Sequence, residues 1–496
     1  MSTIYWLRND LRLHDNECLH RAIHTQKPLL MVYCFDPRHY AMLNLGFRKT
    51  GYLRYKFLCE TLENLKLEIE AKGGKLMFLQ GEPENVLPEL VRKLKSNHLI
   101  YQKEIASEEV EVENKLVNNL NAPDIDCTAE SVWGKTLYHI NDAPFSPVNT
   151  PLTSKAFRLN LTKNTEVRDL FDTPDNLSNC VEFNDWGTIP TAQALGYQPE
   201  EMITNKNAEL IGGEESGLQR IQYYLYDSEL LTSYRWTRNR SLGMDYSSKF
   251  SPWMALGSLS PRKIYWEVKN YEKTIKKNIS TWWLIFEVVW RDFFKYSTLR
   301  HGKKIFFKGG IKDRKTAWKY NRDLFDRWRF GQTGIPFVDA HMRELNATGF
   351  MSNRGRVNCA SFLTRDYQID WRWGAAWFET QLLDYDVCSN WLNWNTQATE
   401  IWYTNPVHQG LKYDKSGEYV KSWLPELSNI EGPIVQGPWL ITEDLRKKYS
   451  MNSYPLPHEI YKKWTRSINN IIKEQTKFDN KNPNTSIPLT LFPKKS

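Results

Sequence analysis

The fold is decided between residues 29 and 79, by the segments LLMVYCF (Leu29–Phe35), YLRYKFLCETLENLKLEIEA (Tyr52–Ala71) and KLMFL (Lys75–Leu79). The first and last are apolar runs of strand length, whereas the middle one repeats apolar residues at helical spacing. Gly73-Gly74 closes the helix, because glycine readily ends a helical turn. A strand, a helix and a second strand in this order predict a parallel pair joined by a crossover.

The same alternation continues outward from this unit, with apolar runs at Thr3–Leu7 and Leu99–Tyr101 and a second helix over residues 84–95. Residues 1–130 are therefore predicted to form an α/β domain with a doubly wound parallel sheet. No GxGxxG follows the first strand, so a Rossmann dinucleotide site is not supported. Ligands of such sheets bind beyond the carboxyl ends of the strands, which here carry Arg8-Asn9-Asp10, Asp36-Pro37-Arg38 and Lys103-Glu104.

The rest of the chain has a different character. Residues 131–211 are rich in Pro, Asn, Thr and Asp and are predicted to form an interdomain connector, residues 212–470 an all-α domain, and residues 471–496 a polar tail. Seventeen of the 20 tryptophans lie from Trp236 onward, since only Trp6, Trp133 and Trp186 precede it. This asymmetry indicates two domains with different tasks.

Composition excludes several classes of protein. With 41% hydrophobic and 25% charged residues in 496, the chain can bury large cores, so general disorder is excluded. It contains no apolar run long enough to span a membrane. Its N-terminus has no apolar signal core and contains acidic residues, unlike a targeting peptide, so we expect a cytoplasmic protein. The seven scattered cysteines indicate neither a disulfide framework nor a zinc site, and no metal is expected. The net charge of +8 permits a nucleic-acid partner without requiring one.

Two segments of the helical half carry groups that suit a ligand. Asp384 and Asp386 could act as acid and base, ligate a metal or bind sugar hydroxyls and amino groups, or they could simply solvate a helix end. Tyr246–Trp253 holds three serines and a lysine before a proline that can open a helix. Hydroxyls and free N–H groups at such a place can hold a phosphate, although a plain helix cap is the commoner role.

Three further features leave alternatives open. Asn353-Arg354-Gly355-Arg356 could pair with Asp384 and face an anion, or carry two solvated charges. Glu287, Trp290 and Arg291 share a helical face that could bind a base, or form an ordinary ion pair. The basic stretch from residue 300 to 322 could face phosphates, or be a solvated surface.

These pieces, in this order, resemble the photolyase and cryptochrome family. The resemblance covers about residues 3–445 and rests on five motifs: WLRNDLRLHDN (6–16), SSKFSP with LGSLSPR (247–262), WRDFF (290–294), TGIPFVDAHMR (333–343) and TGFMSNRGR (348–356). Further stretches are similar to the cryptochrome DASH branch, namely TRNRSLGMDY (237–246), DYDVCSN (384–390) and GEYVKSWLPEL (417–427).

The resemblance implies that the all-α C-terminal domain binds FAD. The residues that it assigns to the cofactor are Tyr234, Ser247, Ser248, Lys249, Phe250, Ser251, Arg356, Asp384, Asp386 and Asn390. Among them, residues 247–251 would hold the pyrophosphate, Arg356 would pair with Asp384, and Asn390 would face flavin N5. Trp394, Trp371 and Trp318 match the family's electron relay, Trp394 being nearest to FAD, although most tryptophans in helices serve as core.

The resemblance also implies a substrate. Glu287, Trp290, Arg291 and Asn353 match the positions that contact a flipped pyrimidine dimer in repair enzymes. A dimer disrupts base stacking, so flipping it costs less than flipping a normal base. An antenna chromophore, commonly 5,10-methenyltetrahydrofolate, would occupy the sheet domain.

Glu108 or Glu109 would contact the pterin of that antenna. The alternative for both residues is a solvated helix start.

The sequence departs from the family near the lesion pocket. Val357 stands where repair enzymes carry Met and DASH members usually carry Gln, and Thr396 stands where a second aromatic residue would sandwich the lesion. Trp391 and Leu392 replace the expected Tyr and Gly, and the glycine-rich loop after Trp394 is missing.

Three hypotheses follow. The first is a monomeric enzyme, a deoxyribodipyrimidine photolyase of DASH type that repairs cyclobutane dimers, preferentially in single-stranded DNA. The second is a blue-light photoreceptor that binds FAD and nucleic acid without repair. The third is a helical nucleic-acid-binding protein without a cofactor.

Overall fold

A computed structural model describes residues 1–202, 210–399 and 403–482. Within this part of the chain, one parallel sheet has the strands β1 (Thr3–Leu7), β2 (Leu29–Phe35), β3 (Leu76–Gln80), β4 (His98–Gln102) and β5 (Thr128–Val132). Their order is β3-β2-β1-β4-β5, so the winding reverses between β1 and β4. The predicted doubly wound sheet is confirmed, and the reversal marks the point where such sheets bind ligands.

Helices α1–α4 pack on the two faces of this sheet, and six more of the described helices, α5–α10, follow in the first 301 residues. They are α1 (Glu17–His24), α2 (Tyr52–Ala71), α3 (Pro83–Leu94), α4 (Ser107–Leu120), α5 (Ser154–Asn164), α6 (Glu214–Gln222), α7 (Tyr234–Thr237), α8 (Ser251–Leu256), α9 (Pro261–Thr274) and α10 (Ile279–His301). The later ones are α11 (Arg322–Arg329), α12 (Pro336–Thr348), α13 (Asn353–Ser361), α14 (Trp371–Gln381), α15 (Val387–Thr399), α16 (Pro406–Tyr413), α17 (Glu418–Trp423), α18 (Glu443–Lys448) and α19 (Thr465–Lys481). The helical C-terminal half is therefore also as predicted.

Both faces of the sheet are buried, because side chains of a strand point alternately to its two sides. Tyr5 and Leu7 of β1 pack with the leucines of α2. Ile4 and Trp6, the residues between them, pack with those of α3 and α4. The central strands β1 and β2 are almost wholly apolar for this reason.

The described residues form two compact units. The first comprises Met1–Thr237, Ser247–Ile305 and Glu379–Leu392, and so contains the sheet together with α1–α10. The second comprises Arg238–Tyr246, Phe306–Phe378 and the chain from Asn393 onward. None of the described helices is both long and apolar enough to cross a membrane.

Two expectations need correction. The connector contains helix α5, in which Phe157 and Leu161 are buried four residues apart; residues 203–209 of the connector lie outside the described residues. Helix α19 extends to Lys481 and therefore into the segment from 471 expected to be a polar tail, and residues 483–496 lie outside the described residues.

Candidate functional site

The segment before α8 has the backbone of an anion site. Lys249 adopts a left-handed conformation, with φ of 60°, and Phe250 follows in the right-handed helical region. Successive N–H groups in such a pair converge on one point and form a concavity suited to an anion. Ser247, Ser248 and Ser251 add hydroxyl groups on either side. This backbone and these hydroxyls fit the pyrophosphate that the sequence assigned to residues 247–251.

Two side chains hold this segment in place. The guanidinium of Arg220 donates to the carbonyl oxygens of Ser247, at 3.2 Å, and of Ser248, at 3.1 Å. Ser251 Oγ donates to Asp384 Oδ2 at 2.6 Å, so two predicted cofactor residues meet although 133 positions separate them. Arg220 was missed by the sequence analysis, because it binds through backbone carbonyls and leaves no motif.

Aromatic rings line the same region of the first unit. Tyr224 is fully buried and contacts Tyr234 edge-to-face at 6.5 Å and Phe250 at 6.0 Å between ring centroids. Tyr234 and Phe250, both predicted cofactor residues, are thereby brought together around a third ring. The packing fixes the backbone of Phe250, whose N–H belongs to the anion site.

Asp386 is bound differently from its predicted partner Asp384. Its Oδ2 accepts from Lys295 Nζ at 2.5 Å, and its Oδ1 accepts from Ser389 N at 2.9 Å and Ser389 Oγ at 2.8 Å. Burial opposes ionisation of Asp386, but the charges of Lys295 and Arg291 outweigh it and hold its pKa well below the usual range. The carboxylate is therefore a permanent anion.

Asn390 lies one helical turn after Asp386, on α15. Its N–H donates to the carbonyl oxygen of Asp386 at 2.8 Å, and the residue is buried. This hydrogen bond fixes Asn390 relative to Asp386 at the start of the helix. Lys295, whose ammonium group donates to Asp386, was not identified from the sequence. Only a search for the cation that balances Asp386 could have found it.

A cavity of about 460 Å³ opens at the carboxyl ends of the strands. Arg8 and Asn9 contribute to it after β1, Asp36 and Arg38 after β2, and Glu104 after β4. These residues follow the strands where a ligand was expected, and the cavity includes the reversal between β1 and β4. Lys295 and Asp386 also line it, together with Tyr385 and Cys388.

Two of the buried charges in this cavity, Lys135 and Glu104, form a pair. Lys135 Nζ lies 2.6 Å from Glu104 Oε1, to which Asn9 Nδ2 also donates at 3.0 Å. Burial opposes ionisation of Glu104, but Lys135 and Arg8 outweigh it and keep its pKa below the usual value. The lining of the cavity thus combines paired charges with apolar side chains such as Trp6 and Leu7.

The two predicted antenna residues differ in their surroundings. Glu108 is exposed and lies 2.5 Å from Lys49 Nζ. Glu109 lines the cavity, and its buried Oε2 has no hydrogen-bond partner among the described residues. Burial, assisted by the charge of Glu104, raises the pKa of Glu109 to about 7. An unpaired acceptor of this kind fits the amino and amide groups of a pterin.

Glu109→Gln is expected to stabilise the protein increasingly as pH rises from about 4.5 to about 7. The folded protein keeps the Glu109 proton over this interval whereas the unfolded chain releases it, so raising the pH disfavours folding of the unaltered chain. The glutamine variant lacks this penalty, which reaches on the order of 3 kcal/mol above pH 7. Urea unfolding across this range measures it; a stability difference that does not change with pH would contradict the assignment.

Helix α10 carries the residues predicted to contact the lesion. Trp290 is half-buried, with ring centroids of Phe286 at 5.8 Å and Phe294 at 6.0 Å, and Glu287 lies one turn before it. Arg291 donates to the carbonyl oxygens of Lys135 at 2.6 Å and Met254 at 3.1 Å. The guanidinium of Arg291 thus links two backbone segments, the one at Lys135 and the one at Met254.

The remaining predicted residues lie in the second unit. Asn353 is exposed at the first position of α13, which Ser352 caps, and Arg356 Nε donates to the carbonyl oxygen of Met351 at 2.9 Å. The pairing of Arg356 with Asp384 stays a prediction. Thr396 is exposed on α15, and Val357 is half-buried on α13.

The three relay tryptophans also lie in the second unit and are buried. Trp394 packs edge-to-face on Phe378 at 5.0 Å and Trp328 at 6.0 Å. Trp371 Nε1 donates to the carbonyl oxygen of Lys308 at 3.1 Å, and Trp318 is 7% exposed. Gly374 of α14 lies directly against the Trp394 ring, which occupies the space that a Cβ at residue 374 would need. Among the described residues, no group of three potential ligands could hold a metal ion.

Known proteins match both parts of the chain. Residues 3–174 match the family model for DNA photolyase, and residues 283–474 match that for the FAD binding domain of DNA photolyase. The chain is 43% identical to the cryptochrome DASH of Synechocystis sp. over 467 residues, which cover 92% of this chain and 94% of the relative. It is 42% identical to the cryptochrome DASH of Danio rerio over 486 residues, covering 95% and 92%.

Solved structures agree with these sequence matches. A crystal structure of the Synechocystis sp. cryptochrome matches with a TM-score of 0.88 at 41% identity, over 95% of this chain and 99% of that one. A class III photolyase from Agrobacterium tumefaciens matches with a TM-score of 0.80 at 24% identity, over 95% and 98%, which shows the shared fold. The chain therefore belongs to the photolyase/cryptochrome family, as an FAD-binding protein of the cryptochrome DASH type.

Proposed function

We propose that this protein is a light-driven enzyme that splits cyclobutane pyrimidine dimers, preferentially in single-stranded DNA. The observation that carries the proposal is helix α10, which presents the half-buried Trp290 and Glu287 one turn apart, in the same unit as the anion site before α8. The first can stack on a base, and the second can accept hydrogen bonds from a thymine edge.

The chain's own residues have three tasks in this reaction. Residues 247–251 and Asp384 bind the cofactor, and Asn390 is assigned to flavin N5. Glu287 and Trp290 of α10 hold the flipped dimer and exclude water, and the assignment of Asn353 to the dimer stays a prediction. Reduced FAD, when bound, would supply the light-driven one-electron chemistry that opens the cyclobutane ring.

The preference for single strands follows from the changes near the lesion. Stacking is worth about 1–3 kcal/mol per base, and Thr396 offers no ring where a second aromatic residue would stand. In a duplex, flipping the dimer costs base-pairing energy as well as stacking energy. The missing aromatic residue therefore reduces repair more in a duplex than in a single strand. We propose that the chain acts on DNA as a monomer in the cytoplasm.

Two accessory roles complete the proposal. The cavity at the strand ends would hold an antenna such as 5,10-methenyltetrahydrofolate, with the unpaired Glu109 Oε2 as a pterin contact. Trp394, Trp371 and Trp318 would carry electrons between the surface and the flavin, in support of which Trp394 and Trp371 are almost fully buried.

The second candidate is a photoreceptor that keeps the flavin site and has lost repair. Val357 and Thr396 favour it, because both stand where repair enzymes carry groups that contact the lesion.

Repair of a single thymine dimer, placed in an oligonucleotide and in its duplex, tests the proposal. The reduced protein is illuminated with blue light, and restored thymine absorbance is followed, with dark and oxidised samples as controls. We expect light-dependent repair that is faster in the single strand. No repair of either substrate by protein with photoreducible flavin would overturn the enzyme and favour the photoreceptor.

A further inference from the structure

A row of aromatic rings runs along α10 from the solvent to Trp290. Trp282 is 41% exposed and stacks on Phe286, with 5.3 Å between centroids and 26° between planes. Trp283 packs edge-to-face on Phe286 at 4.9 Å, and Phe286 lies 5.8 Å from Trp290. The row extends over the eight residue steps from 282 to 290, or about 12 Å along the helix axis.

Two guanidinium groups lie against these rings. Arg158 of α5 is 5.4 Å from the centroid of Trp282 and 5.5 Å from that of Phe286. Arg235 of α7 is 6.0 Å from that of Trp283. The Nε of Arg158 is buried and has no hydrogen-bond acceptor among the described residues. A guanidinium held on a ring in this way suits an acceptor such as phosphate.

The segments that carry these rings have an excess of positive charge, and Glu272 of α9, which accepts from Thr281 Oγ1 at 2.6 Å, is paired with Lys269. Helix α5, helix α7 and residues 279–286 of α10 carry the cations Lys155, Arg158, Lys163 and Arg235 and no carboxylate. Exposed apolar residues accompany them, with Trp236 at 62% and Leu159 at 49%. Exposed rings among unbalanced cations match a ligand that has flat apolar faces and a negative backbone.

We infer that Trp282, Phe286, Arg158 and Arg235 form a stacking platform for unpaired bases of a single strand beyond the lesion. This inference rests on the proposed function, which supplies single-stranded DNA as the ligand. The platform is an additional site, and it can bind undamaged nucleotides. Bases stack on Trp282, and Arg158 and Arg235 take the adjacent phosphates. About 12 Å corresponds to the axial length of three to four stacked nucleotides, so the platform and the lesion site can bind one strand together.

Binding of undamaged single-stranded DNA, long enough to cover the platform, tests the inference by fluorescence anisotropy. Trp282→Ala should weaken binding roughly 5- to 150-fold, whereas Trp282→Phe should retain most of it, since a ring remains. Arg158→Gln should lower the slope of log affinity against log salt by about 0.7, the value for one phosphate contact. Phe330→Ala is the matched control, since Phe330 is 45% exposed with the Arg329 guanidinium 4.3 Å from its ring, in the second unit.

Repair of a dimer in a short oligonucleotide, which reaches no further than the lesion site, separates this inference from the proposed function. Trp282→Ala should leave that repair unchanged. Equal affinity of Trp282→Ala and Phe330→Ala for the long undamaged strand, at unchanged thermal stability, would overturn the platform whether or not the protein repairs DNA. Equal losses with long and short strands would also overturn it.

Discussion

The Glu287→Ala variant should repair dimers in single-stranded DNA roughly 10- to 100-fold more slowly at limiting protein than the unaltered chain does. Hydrogen bonds to a charged group contribute about 1.5–3 kcal/mol, and the alanine removes the acceptor for the thymine edge. Flavin content and photoreduction should not change, because Glu287 lies outside residues 247–251 and 384–390. Restored thymine absorbance per photon measures the effect.

Two variants make this result specific. Glu287→Gln keeps an acceptor oxygen of similar reach and should lie between the alanine variant and the unaltered chain. Glu267→Ala removes a partly buried carboxylate from the neighbouring helix α9, where it accepts from Tyr226 OH at 2.8 Å. Repair lost equally in Glu267→Ala would mean that general destabilisation explains the loss, and unaltered repair in Glu287→Ala would remove Glu287 from the site.

Gly257→Ala should lower the free energy of unfolding by about 2–5 kcal/mol, a large fraction of the 5–15 kcal/mol of a typical domain. Residue 257 is left-handed, with φ of 70°, which costs an alanine about 1–2 kcal/mol. Its Cβ would also overlap the carbonyl oxygen of Asn9 and lie 2.8 Å from Asp10 Cα. Backbone atoms cannot turn aside as a side chain can, so the loop after β1 must shift.

Thermal and urea unfolding measure this change, and Gly243→Ala separates its two causes. Gly243 also has a positive φ, of 83°, but apart from its chain neighbours no atom of the described residues lies within 4 Å of the position of its Cβ. It should therefore show the conformational cost alone. Similar losses for the two variants would mean that the contact with Asn9 adds nothing.

The parts of the fold that the sequence predicted are those with strong apolar periodicity. Strand β2 and helix α2 have the predicted bounds, because burial on both sheet faces demands continuous apolar strands and an amphipathic helix repeats its leucines. Strand β5 was not predicted, since it lies at the sheet edge and only Val132 of it is buried. Helix α5 was missed for a similar reason, as only Phe157 and Leu161 anchor it.

The candidate site could be predicted only as far as its motifs are local. Residues 247–251 are contiguous, and their backbone conformation suits an anion, while their assignment to the pyrophosphate stays a prediction. The partners of the carboxylates could not be predicted, because Lys295 and Asp386 are 91 residues apart and spacing carries no information over that length. The orientation of Arg291 toward backbone carbonyls likewise depends on segments far away in the chain.

The contact between Gly374 and Trp394 limits how this protein can be made more heat-resistant. A glycine inside a helix is the usual first choice for such engineering, since alanine gains about 0.5–1 kcal/mol there. At residue 374 the gain is out of reach, because a methyl group would push aside the Trp394 indole. Thermostable variants should therefore keep Gly374, because an alanine that stabilised α14 would displace the Trp394 ring.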